Sequence, residues 1–426
     1  MSLRETVRRE IIKHTNTPLG TIYVFSDRTR RDNIPADATW YVIGLESVSQ
    51  SDRVASAIAS LVSEDSFCIV DESSHIKGFK AKRTQRLIAF CEKARYRMIL
   101  TGTPMTQGYQ DLFSQMYFLS PKILGYRSWY GFAADHIQYD QHIKGRIMGV
   151  RGADVLAAKI APYVFQVTKE ECLALPEKVY HTHYIDLSEE QEKAYDLAKT
   201  EFVEALEEGV GEDWNALPLF RLFGALQTIV CGFWRRTSRW WDRHASHEMT
   251  EEFYPHQRLD ALHEMIADIP EGEKVIIWAK YRHCLRQIYE SLSELFGVES
   301  VAQFHGGLSP DAREKEIEKF KGPARFFVAT QSCGGYGLTL NEAAYVIFYA
   351  DGYKFSERLQ AEDRCHRIGQ TRHVTYISIS SGANIENRIA MALERKGDAL
   401  RDLREEVRKV SRNGLKGSVR RLVETL

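Results

Sequence analysis

"FCIVDESSHIKG", residues 67–78, is a short apolar run that ends in two adjacent carboxylates, Asp71 and Glu72. An apolar run of about four to eight residues that is bounded by polar residues predicts a buried strand. In an open parallel sheet, ligands gather at the carboxyl ends of the strands, so these carboxylates would face a ligand. In nucleotide hydrolysis, an Asp in this position holds Mg²⁺ and an adjacent Glu orients the attacking water. Taken alone, the pattern is equally compatible with the polar start of a loop.

Short apolar runs alternate with helical patterns in two parts of the chain. The runs lie at 21–25, 40–44, 67–70 and 96–100, and again at 274–279, 301–305, 325–329, 345–350 and 374–379. Such alternation predicts parallel strands that are joined by crossover helices. The sequence therefore predicts an α/β protein with parallel-sheet units at residues 1–130 and 256–426, joined by a mainly helical segment at residues 131–255.

Composition limits the classes of partner. The 57 Lys and Arg residues are balanced by 58 Asp and Glu residues, so any nucleic-acid contact must come from local basic patches. The seven cysteines form no CxxC pair, which argues against a structural zinc site and a disulfide framework. No run approaches the roughly 18 apolar residues of a membrane span. We expect a cytoplasmic protein in a reducing compartment, with no membrane partner.

Three loops that follow predicted strands are rich in small and hydroxyl-bearing residues. The residues of interest are Thr101, Gly102 and Thr103 in "LTGTP", His305 and Gly306 in "FHGG", and Thr330, Ser332, Gly335 and Gly337 in "ATQSCGGYG". Glycine lets a backbone approach a ligand closely, and the N–H groups of such loops can bind phosphates. Each loop alone is also compatible with a simple turn.

"FSERLQAEDRCHRIGQ", residues 355–370, is the most specific stretch of the sequence. If it is helical, Gln360, Arg364 and Arg367 share one face, because they are spaced at i, i+4 and i+7. Arginines on one face most often form surface salt bridges. In an α/β unit of this kind, an arginine that stabilises a transferred phosphoryl group is also expected at this position.

Taken in order, these segments resemble the motifs of the two RecA-like lobes of helicase superfamily two, in the form of the Swi/Snf-type DNA translocases. "IVDESSHIKG" resembles motif II and "LTGTP" motif III, while "KVIIWAKYRHCL", "ATQSCGGYGLTL" and "QAEDRCHRIGQ" resemble motifs IV, V and VI. The resemblance runs from about residue 40 to about residue 400. It implies a motor that uses ATP and Mg²⁺ and moves on double-stranded DNA.

The resemblance also implies a role for each motif residue. Asp71 would hold Mg²⁺, Glu72 would be the catalytic carboxylate, and Arg364 with Arg367 would stabilise charge on the γ-phosphate. The implied ATP-binding residues are Gly335, Gly337 and Gln360; the implied coupling residues are Ser74, Thr101, Gly102 and Thr103; the implied DNA-binding residues are Lys77, His305, Gly306, Thr330 and Ser332.

The sequence departs from the family pattern in two ways. Ser74 stands where most relatives have His, a form that resembles phage and bacterial members. More importantly, no G-x-x-x-x-G-K-[ST] loop occurs, although that loop supplies the backbone cradle and the Lys for ATP phosphates. We expect roughly 70 or more residues of a complete first lobe, including this P-loop, to be missing from the sequence.

Three explanations for the missing P-loop remain open. The chain is a truncated or split ATPase whose P-loop comes from another polypeptide, a catalytically inactive scaffold that binds DNA or protein, or an enzyme that holds nucleotide in an unfamiliar way. The first explanation predicts an incomplete parallel sheet with an apolar edge. An RNA-directed helicase is disfavoured by the form "DRCHRIGQ".

"GFWRRTSRWWDRH", residues 232–244, interleaves aromatic and arginine side chains. Aromatic rings can stack on bases while arginines pair with phosphates, so the stretch is a candidate nucleic-acid contact. A helix that packs its aromatic side chains and exposes its arginines gives the same pattern. The sequence alone leaves both interpretations open.

Overall fold

The computed structural model describes residues 3–26, 29, 33–102, 104–105, 108–139, 147–167, 169–207, 217–237, 248–253, 256–333, 338–395, 420 and 422–426. The chain forms two compact units, Met1–Cys172 and Leu173–Leu426, which we call unit 1 and unit 2. The boundary falls inside the segment 131–255 that the sequence suggested as a connector. Part of that segment packs with each unit.

Unit 1 consists of short helices and short two-stranded ladders. Its helices are α1 (Leu3–His14), α2 (Leu45–Gln50), α3 (Asp52–Leu61), α4 (Lys82–Cys91), α5 (Leu112–Leu119), α6 (Pro121–Leu124), α7 (Trp129–His136), α8 (Ala153–Ile160) and α9 (Lys169–Cys172). Its strands are β1 (Ile22–Val24), β2 (Trp40–Val42), β3 (Phe67–Val70), β4 (Tyr96–Ile99), β5 (Ile137–Tyr139) and β6 (Ile147–Val150). The pairs β1–β2 and β3–β4 are parallel, and β5–β6 is antiparallel.

The β3–β4 ladder packs one of its faces on the core of unit 1. Val70 of β3 is buried in a cluster with Ile58 of α3 and Leu87 of α4. Helix α4 is the crossover between the two strands, as the alternation of strand and helix patterns predicts. Because successive residues of a strand point to opposite faces, every second residue of β3 and β4 is turned away from this core.

The opposite face of the β3–β4 ladder is apolar and exposed. It consists of Phe67 and Ile69 of β3, Tyr96 and Met98 of β4, and Leu100, which are between 39% and 55% exposed. Phe67 lies beside Tyr96 in the register, and Ile69 beside Met98. Parallel sheets are normally covered on both faces, so this open apolar face is unusual.

Unit 2 is built on a single large sheet. Its strands are β7 (Lys178–Tyr184), β8 (Phe233–Thr237), β9 (Glu248–Glu252), β10 (Val275–Ala279), β11 (Val301–Phe304), β12 (Phe326–Thr330), β13 (Tyr345–Phe348) and β14 (Val374–Ser380). Its helices are α10 (Glu189–Glu207), α11 (Leu217–Val230), α12 (Gln257–Asp268), α13 (Arg282–Phe296), α14 (Pro310–Lys321), α15 (Phe355–Glu362) and α16 (Asn384–Glu394).

The six-stranded sheet of unit 2 has the order β11-β12-β10-β13-β14-β7 among the described residues, and every neighbouring pair is parallel. The residues of β10 and β12 are buried throughout. One hydrophobic cluster covers each face, with Ile277 in the first and Trp278 in the second. A sheet that is buried on both faces needs continuous apolar strands, which is the pattern in the sequence.

The predicted α/β class is confirmed, and each of the nine predicted strand runs overlaps a strand of the structure. The connector that was predicted as mainly helical also contributes strands. Of these, β7 completes one edge of the unit 2 sheet by pairing with β14. The division of the chain into three parts with boundaries near 130 and 255 remains a proposal.

The aromatic and arginine-rich stretch is a strand, not a helix, over the residues that are described. Phe233 and Trp234 lie in β8, which pairs with β9, and both side chains are buried in the main cluster of unit 2. For these two residues, packing explains the pattern and stacking on bases does not. Residues 238–244, which include Trp240 and Trp241, lie outside the described residues.

Candidate functional site

The two carboxylates follow β3 directly, as predicted. The backbone N–H of Glu72 donates a hydrogen bond to Oδ1 of Asp71 over 2.9 Å. Glu72 has φ 49° and ψ 53°, and among the described residues it is the only non-glycine with a positive φ. A left-handed conformation costs a residue with a Cβ atom about 1–2 kcal/mol. Strain of this kind is found where the surrounding structure fixes a functional residue.

The residues after Glu72 form a 3-10 turn, Ser73–Ile76. The N–H of Ser73 donates to the carbonyl of Leu100 over 2.9 Å, which joins the turn after β3 to the end of β4. Ser73 is fully buried, whereas the predicted coupling residue Ser74 is only half-buried. Ser73 therefore joins this turn to the end of β4, and the coupling role of Ser74 remains a prediction.

Gln115 of α5 was not predicted from the sequence, although it contacts both loops of the candidate site. Its Oε1 accepts a hydrogen bond from Oγ of Ser73 over 2.7 Å, and its Nε2 donates to the carbonyl of Pro104 over 2.7 Å. The sequence feature that could have identified Gln115 is its position inside the apolar helix sequence "LFSQMYFL". A buried amide in such a helix needs partners, and those partners identify its role.

The other predicted residues of unit 1 lie on these same two loops. Thr101 is half-buried and Gly102 is exposed, and a Cβ atom on Gly102 would meet nothing within 4 Å. The backbone at Gly102 is therefore open to a ligand. Thr103 lies outside the described residues. Nζ of Lys77 lies 3.9 Å from Oδ2 of the buried Asp111, so this lysine is ion-paired in unit 1.

In unit 2, His305 and Gly306 follow β11 as predicted. Nδ1 of His305 accepts a hydrogen bond from the N–H of Gly307 over 3.0 Å. Burial, together with the nearby Arg282 and Arg313, lowers the pKa of His305. The ring is therefore neutral at neutral pH, which suits the acceptor role of Nδ1. Gly306 is exposed at the surface of the turn.

The predicted phosphate contacts at the end of β12 and in the following loop differ in their exposure to solvent. Thr330 is the last residue of β12 and is only 4% exposed, so its hydroxyl does not face solvent. Ser332 is exposed and can contact a ligand. Gly335 and Gly337 lie outside the described residues.

The predicted helical face of Gln360, Arg364 and Arg367 is only partly correct. Helix α15 ends at Glu362, and both arginines lie in the turns that follow it. The helical bonding pattern stops after Glu362. The N–H of Arg367 donates to the carbonyl of Cys365 over 3.1 Å, and the carbonyl of Arg364 accepts from the N–H of Leu340 over 2.9 Å. Gln360 lies inside α15 and is half-buried.

The two arginines still lie together, because they share one acceptor. Nη1 of Arg367 donates to the carbonyl of Leu338 over 3.2 Å, and Nη1 of Arg364 lies 3.5 Å from the same oxygen. Nε of Arg364 donates to the carbonyl of Gln360 over 3.1 Å. The guanidinium groups therefore converge at the carbonyl of Leu338.

A buried ionic network fixes α15 on the sheet. Arg358 donates to Oδ1 of Asp351 over 2.6 Å, to Oε1 of Glu362 over 3.0 Å and to Oγ of Ser378 over 3.0 Å. Oε2 of Glu362 accepts a further bond from Tyr180 of β7 over 2.8 Å. Burial and the neighbouring Glu362 raise the pKa of the Tyr180 hydroxyl, which stays protonated and donates. The edge strand thus supports the arginine-bearing segment.

The carboxylates are compatible with a bound Mg²⁺ ion. Among the described residues, no group of three or more His, Cys, Asp or Glu side chains could hold a metal on its own. Mg²⁺ in nucleotide sites needs only one or two carboxylates, because phosphates and waters complete its coordination. The exposed carboxylate of Asp71 satisfies this requirement.

Two protein-family models match the chain. The SNF2-related domain matches residues 6–232, and the helicase conserved C-terminal domain matches residues 257–369. The first match alone covers more than half of the 426 residues. The chain belongs to the SNF2-related family, and the resemblance that its motifs suggested is confirmed.

Similar proteins are ATP-dependent helicases. The chain is 25% identical over 342 residues to an uncharacterized ATP-dependent helicase of Mycoplasma genitalium, a match that covers 79% of this chain and 30% of the relative. It is 25% identical over 345 residues to the ATP-dependent DNA helicase DDM1 of Arabidopsis thaliana, which covers 76% of this chain and 43% of the relative. The chain spans about a third of the length of the first curated relatives that it matches.

One similar solved structure is the Sulfolobus solfataricus SWI2/SNF2 ATPase core in complex with dsDNA. It is 23% identical, and the match covers 98% of this chain and 82% of that chain with a TM-score of 0.40. Separately, within the described residues, no helix is long and apolar enough to cross a membrane.

Proposed function

We propose that the chain is the carboxylate- and arginine-bearing part of an ATP-dependent motor that moves on double-stranded DNA. The geometry of Glu72 carries this proposal: a strained residue follows Asp71 at the carboxyl end of a strand, in a chain of the SNF2-related family. Nucleotide-hydrolysing α/β proteins place their metal-binding and water-orienting carboxylates at such strand ends.

Each charged residue has a distinct role in hydrolysis. Asp71 holds Mg²⁺, which neutralises charge on the ATP phosphates when it is bound. Glu72 orients the attacking water and accepts its proton. Arg364 and Arg367 stabilise the charge that develops on the γ-phosphate, an effect that is worth about 10³ to 10⁵ in rate for an arginine finger. Gln360 and the glycines 335 and 337 contact the nucleotide.

The DNA contacts are made to phosphates. Ser332 and Gly306 are exposed, and His305 and Lys77 are half-buried beside their loops. Thr330 is buried and positions the loop from beneath. Phosphate contacts give binding that weakens with salt and is largely indifferent to sequence.

The phosphate-binding loop is supplied by a segment that the 426 residues do not contain. No P-loop sequence occurs in the 426 residues, whereas the carboxylates and arginines are present. The open apolar face of the β3–β4 ladder supports this proposal, because a P-loop segment consists of a strand and a helix that need such a face to pack on. Its loop would then reach the same strand ends that carry Asp71 and Thr101.

Complementation tests this proposal. The purified chain is mixed with the P-loop segment of a relative, such as the Mycoplasma genitalium helicase, and ATP hydrolysis is measured with and without double-stranded DNA. We expect DNA-stimulated hydrolysis that is lost in Glu72→Gln. The absence of restored hydrolysis with segments from several relatives would contradict a split enzyme.

A second candidate function is a scaffold that binds DNA or a partner protein without hydrolysing ATP. The open apolar face of the β3–β4 ladder favours it, since such a face can bind a partner protein. Nucleotide binding distinguishes the two, because a scaffold has no reason to bind ATP when a P-loop segment is supplied. The Ser-Ser form of motif II supports a bacterial or phage-infected cytoplasm for either function.

A further inference from the structure

Gln115 is a fully buried polar residue inside an apolar helix. Each of its hydrogen-bonding groups has a partner. Oε1 accepts from Oγ of Ser73 over 2.7 Å, and Nε2 donates to the carbonyls of Pro104 and Asp111 over 2.7 and 2.9 Å. A buried amide is costly unless it is satisfied in this way, so its presence in α5 needs an explanation beyond packing.

The partners of Gln115 lie on different loops. Ser73 belongs to the turn after β3 that begins with the two carboxylates, and Pro104 belongs to the loop after β4. The neighbouring Ser114 also donates to the carbonyl of Lys77 over 3.0 Å, but this bond reaches only the first of the two loops. Among the contacts of α5, the Gln115 amide is thus the one that spans both loops.

We propose that Gln115 is a positioning residue that couples the carboxylate turn, residues 71–76, to the loop at residues 101–105. A movement of the Pro104 carbonyl moves Nε2 of Gln115, and with it Oε1 of the same rigid amide. The movement of Oε1 is then passed to Ser73, which follows Glu72 directly. The amide is planar, so its donor and acceptor cannot move independently. The functional meaning of the coupling rests on the proposed function, in which Glu72 orients water.

The coupling replaces the one that the sequence suggested through Ser74. Ser74 is half-buried, whereas Ser73 and Gln115 are both fully buried. A hydrogen bond between two fully buried side chains is shielded from water and holds its geometry. Ser73 and Gln115 act as a pair, and neither can be identified from the motif sequence alone.

Amide chemical shifts in the purified full chain, measured by NMR without nucleotide, test the coupling. Ser73→Ala removes the hydroxyl on the first loop, and the shifts are read on the second loop, at the amides of Gly102 and Met105. We expect both amides to shift, because loss of the Ser73 hydrogen bond lets the Gln115 amide move and with it the Pro104 carbonyl. Gln115→Met shifts amides on both loops.

Ser114→Ala is the matched control, because it also removes a hydrogen bond from α5 to the turn after β3. It should shift the amides near Lys77 and leave those of Gly102 and Met105 unchanged. If Ser73→Ala changes those two amides no more than Ser114→Ala does, the coupling is refuted. Should Gln115→Met fail to fold, Ser73→Ala decides the question by itself.

The test separates this inference from the proposed function. The chemical shifts are measured without ATP, so a chain that never hydrolyses ATP still shows or lacks the coupling between its loops. Conversely, restored hydrolysis in the complemented enzyme with no effect of Ser73→Ala on Gly102 and Met105 would support the function and reject the role of Gln115.

Discussion

Glu72 donates its backbone N–H to Oδ1 of Asp71 over 2.9 Å while its own backbone adopts the left-handed conformation. The chain reverses at this point, which lets the N–H of the next residue, Ser73, reach the carbonyl of Leu100. The Asp71 carboxylate and the backbone of Glu72 are therefore held at the strand end by backbone bonds that do not depend on a ligand. The strain at Glu72 is the measurable sign of this arrangement.

Substitutions at Glu72 should reveal the strain. We expect Glu72→Gly to have a higher free energy of unfolding than Glu72→Ala by about 1 kcal/mol, since only glycine adopts a positive φ without steric cost. Urea unfolding of both variants measures the difference. At Ser74, which has no positive φ, the order should reverse. A less stable Glu72→Gly than Glu72→Ala would show that the site is not strained.

Arg367→Ala should separate hydrolysis from DNA binding. In the complemented enzyme, we expect hydrolysis to fall by about 10³-fold or more while DNA affinity changes little, because the guanidinium acts on phosphate charge in the transition state. Arg372→Ala, which removes an exposed arginine paired with Glu273, is the control and should leave hydrolysis intact. An equal loss of hydrolysis and DNA affinity in Arg367→Ala would refute the assigned role.

Stability should fall between neutral and acid pH because of His256. The residue is 1% exposed, and burial, with Arg258 and His283 nearby, lowers its pKa to about 4. The unfolded chain binds a proton near pH 6.5 while the folded chain does not, so this stability is complete above pH 6.5 and is lost progressively down to about pH 4.

The expected loss over this range is about 3 kcal/mol, from about 1.4 kcal/mol for each unit of pKa difference. Urea unfolding at several pH values measures it. In His256→Gln, the dependence of unfolding free energy on pH should be flatter over the same range. A slope that is unchanged in His256→Gln would mean that other groups cause the acid sensitivity.

Arg358 should be essential to the stability of unit 2. Its side chain is 11% exposed and pairs with Asp351 and Glu362. In Arg358→Leu, Asp351 loses this partner while Glu362 keeps Lys178 and Tyr180, so we expect a loss of about 3 kcal/mol in unfolding free energy, the low end for breaking a buried ion pair. Lys354→Ala removes only an exposed pair with Glu357 and should cost less than about 1 kcal/mol. Equal effects of the two changes in thermal unfolding would contradict the importance of the network.

The open apolar face should matter for complementation and not for folding. Ile69 and Met98 are neighbours in the register and are 39% and 40% exposed. We expect the double variant Ile69→Thr, Met98→Gln to unfold within about 1 kcal/mol of the unchanged chain, because exposed substitutions have small effects. It should nevertheless lose hydrolysis restored by the P-loop segment, measured at equal protein concentrations. The control is the double variant Leu295→Thr, Val298→Gln, which alters two other exposed apolar residues and should leave the restored hydrolysis unchanged.

The strands could be predicted because a parallel sheet that is buried on both faces needs continuous apolar runs, and 275–279 and 326–330 have this pattern. The end of α15 could not be predicted. The carbonyl of Arg364 accepts a hydrogen bond from the N–H of Leu340, which is distant in sequence, and not from a following residue of a helix. Gln115 was missed for a similar reason: its partners lie on loops that only the fold brings together. Local patterns therefore predict elements, and long-range polar contacts decide the details of the site.

The most direct measurement is ATP hydrolysis by the purified chain alone, with and without double-stranded DNA, with Glu72→Gln as the control. Because the sequence contains the carboxylates and arginines but no P-loop, we expect no DNA-stimulated hydrolysis above the level of Glu72→Gln. DNA-stimulated hydrolysis that is lost in Glu72→Gln would contradict this account, since it would show that these 426 residues hold ATP without a P-loop.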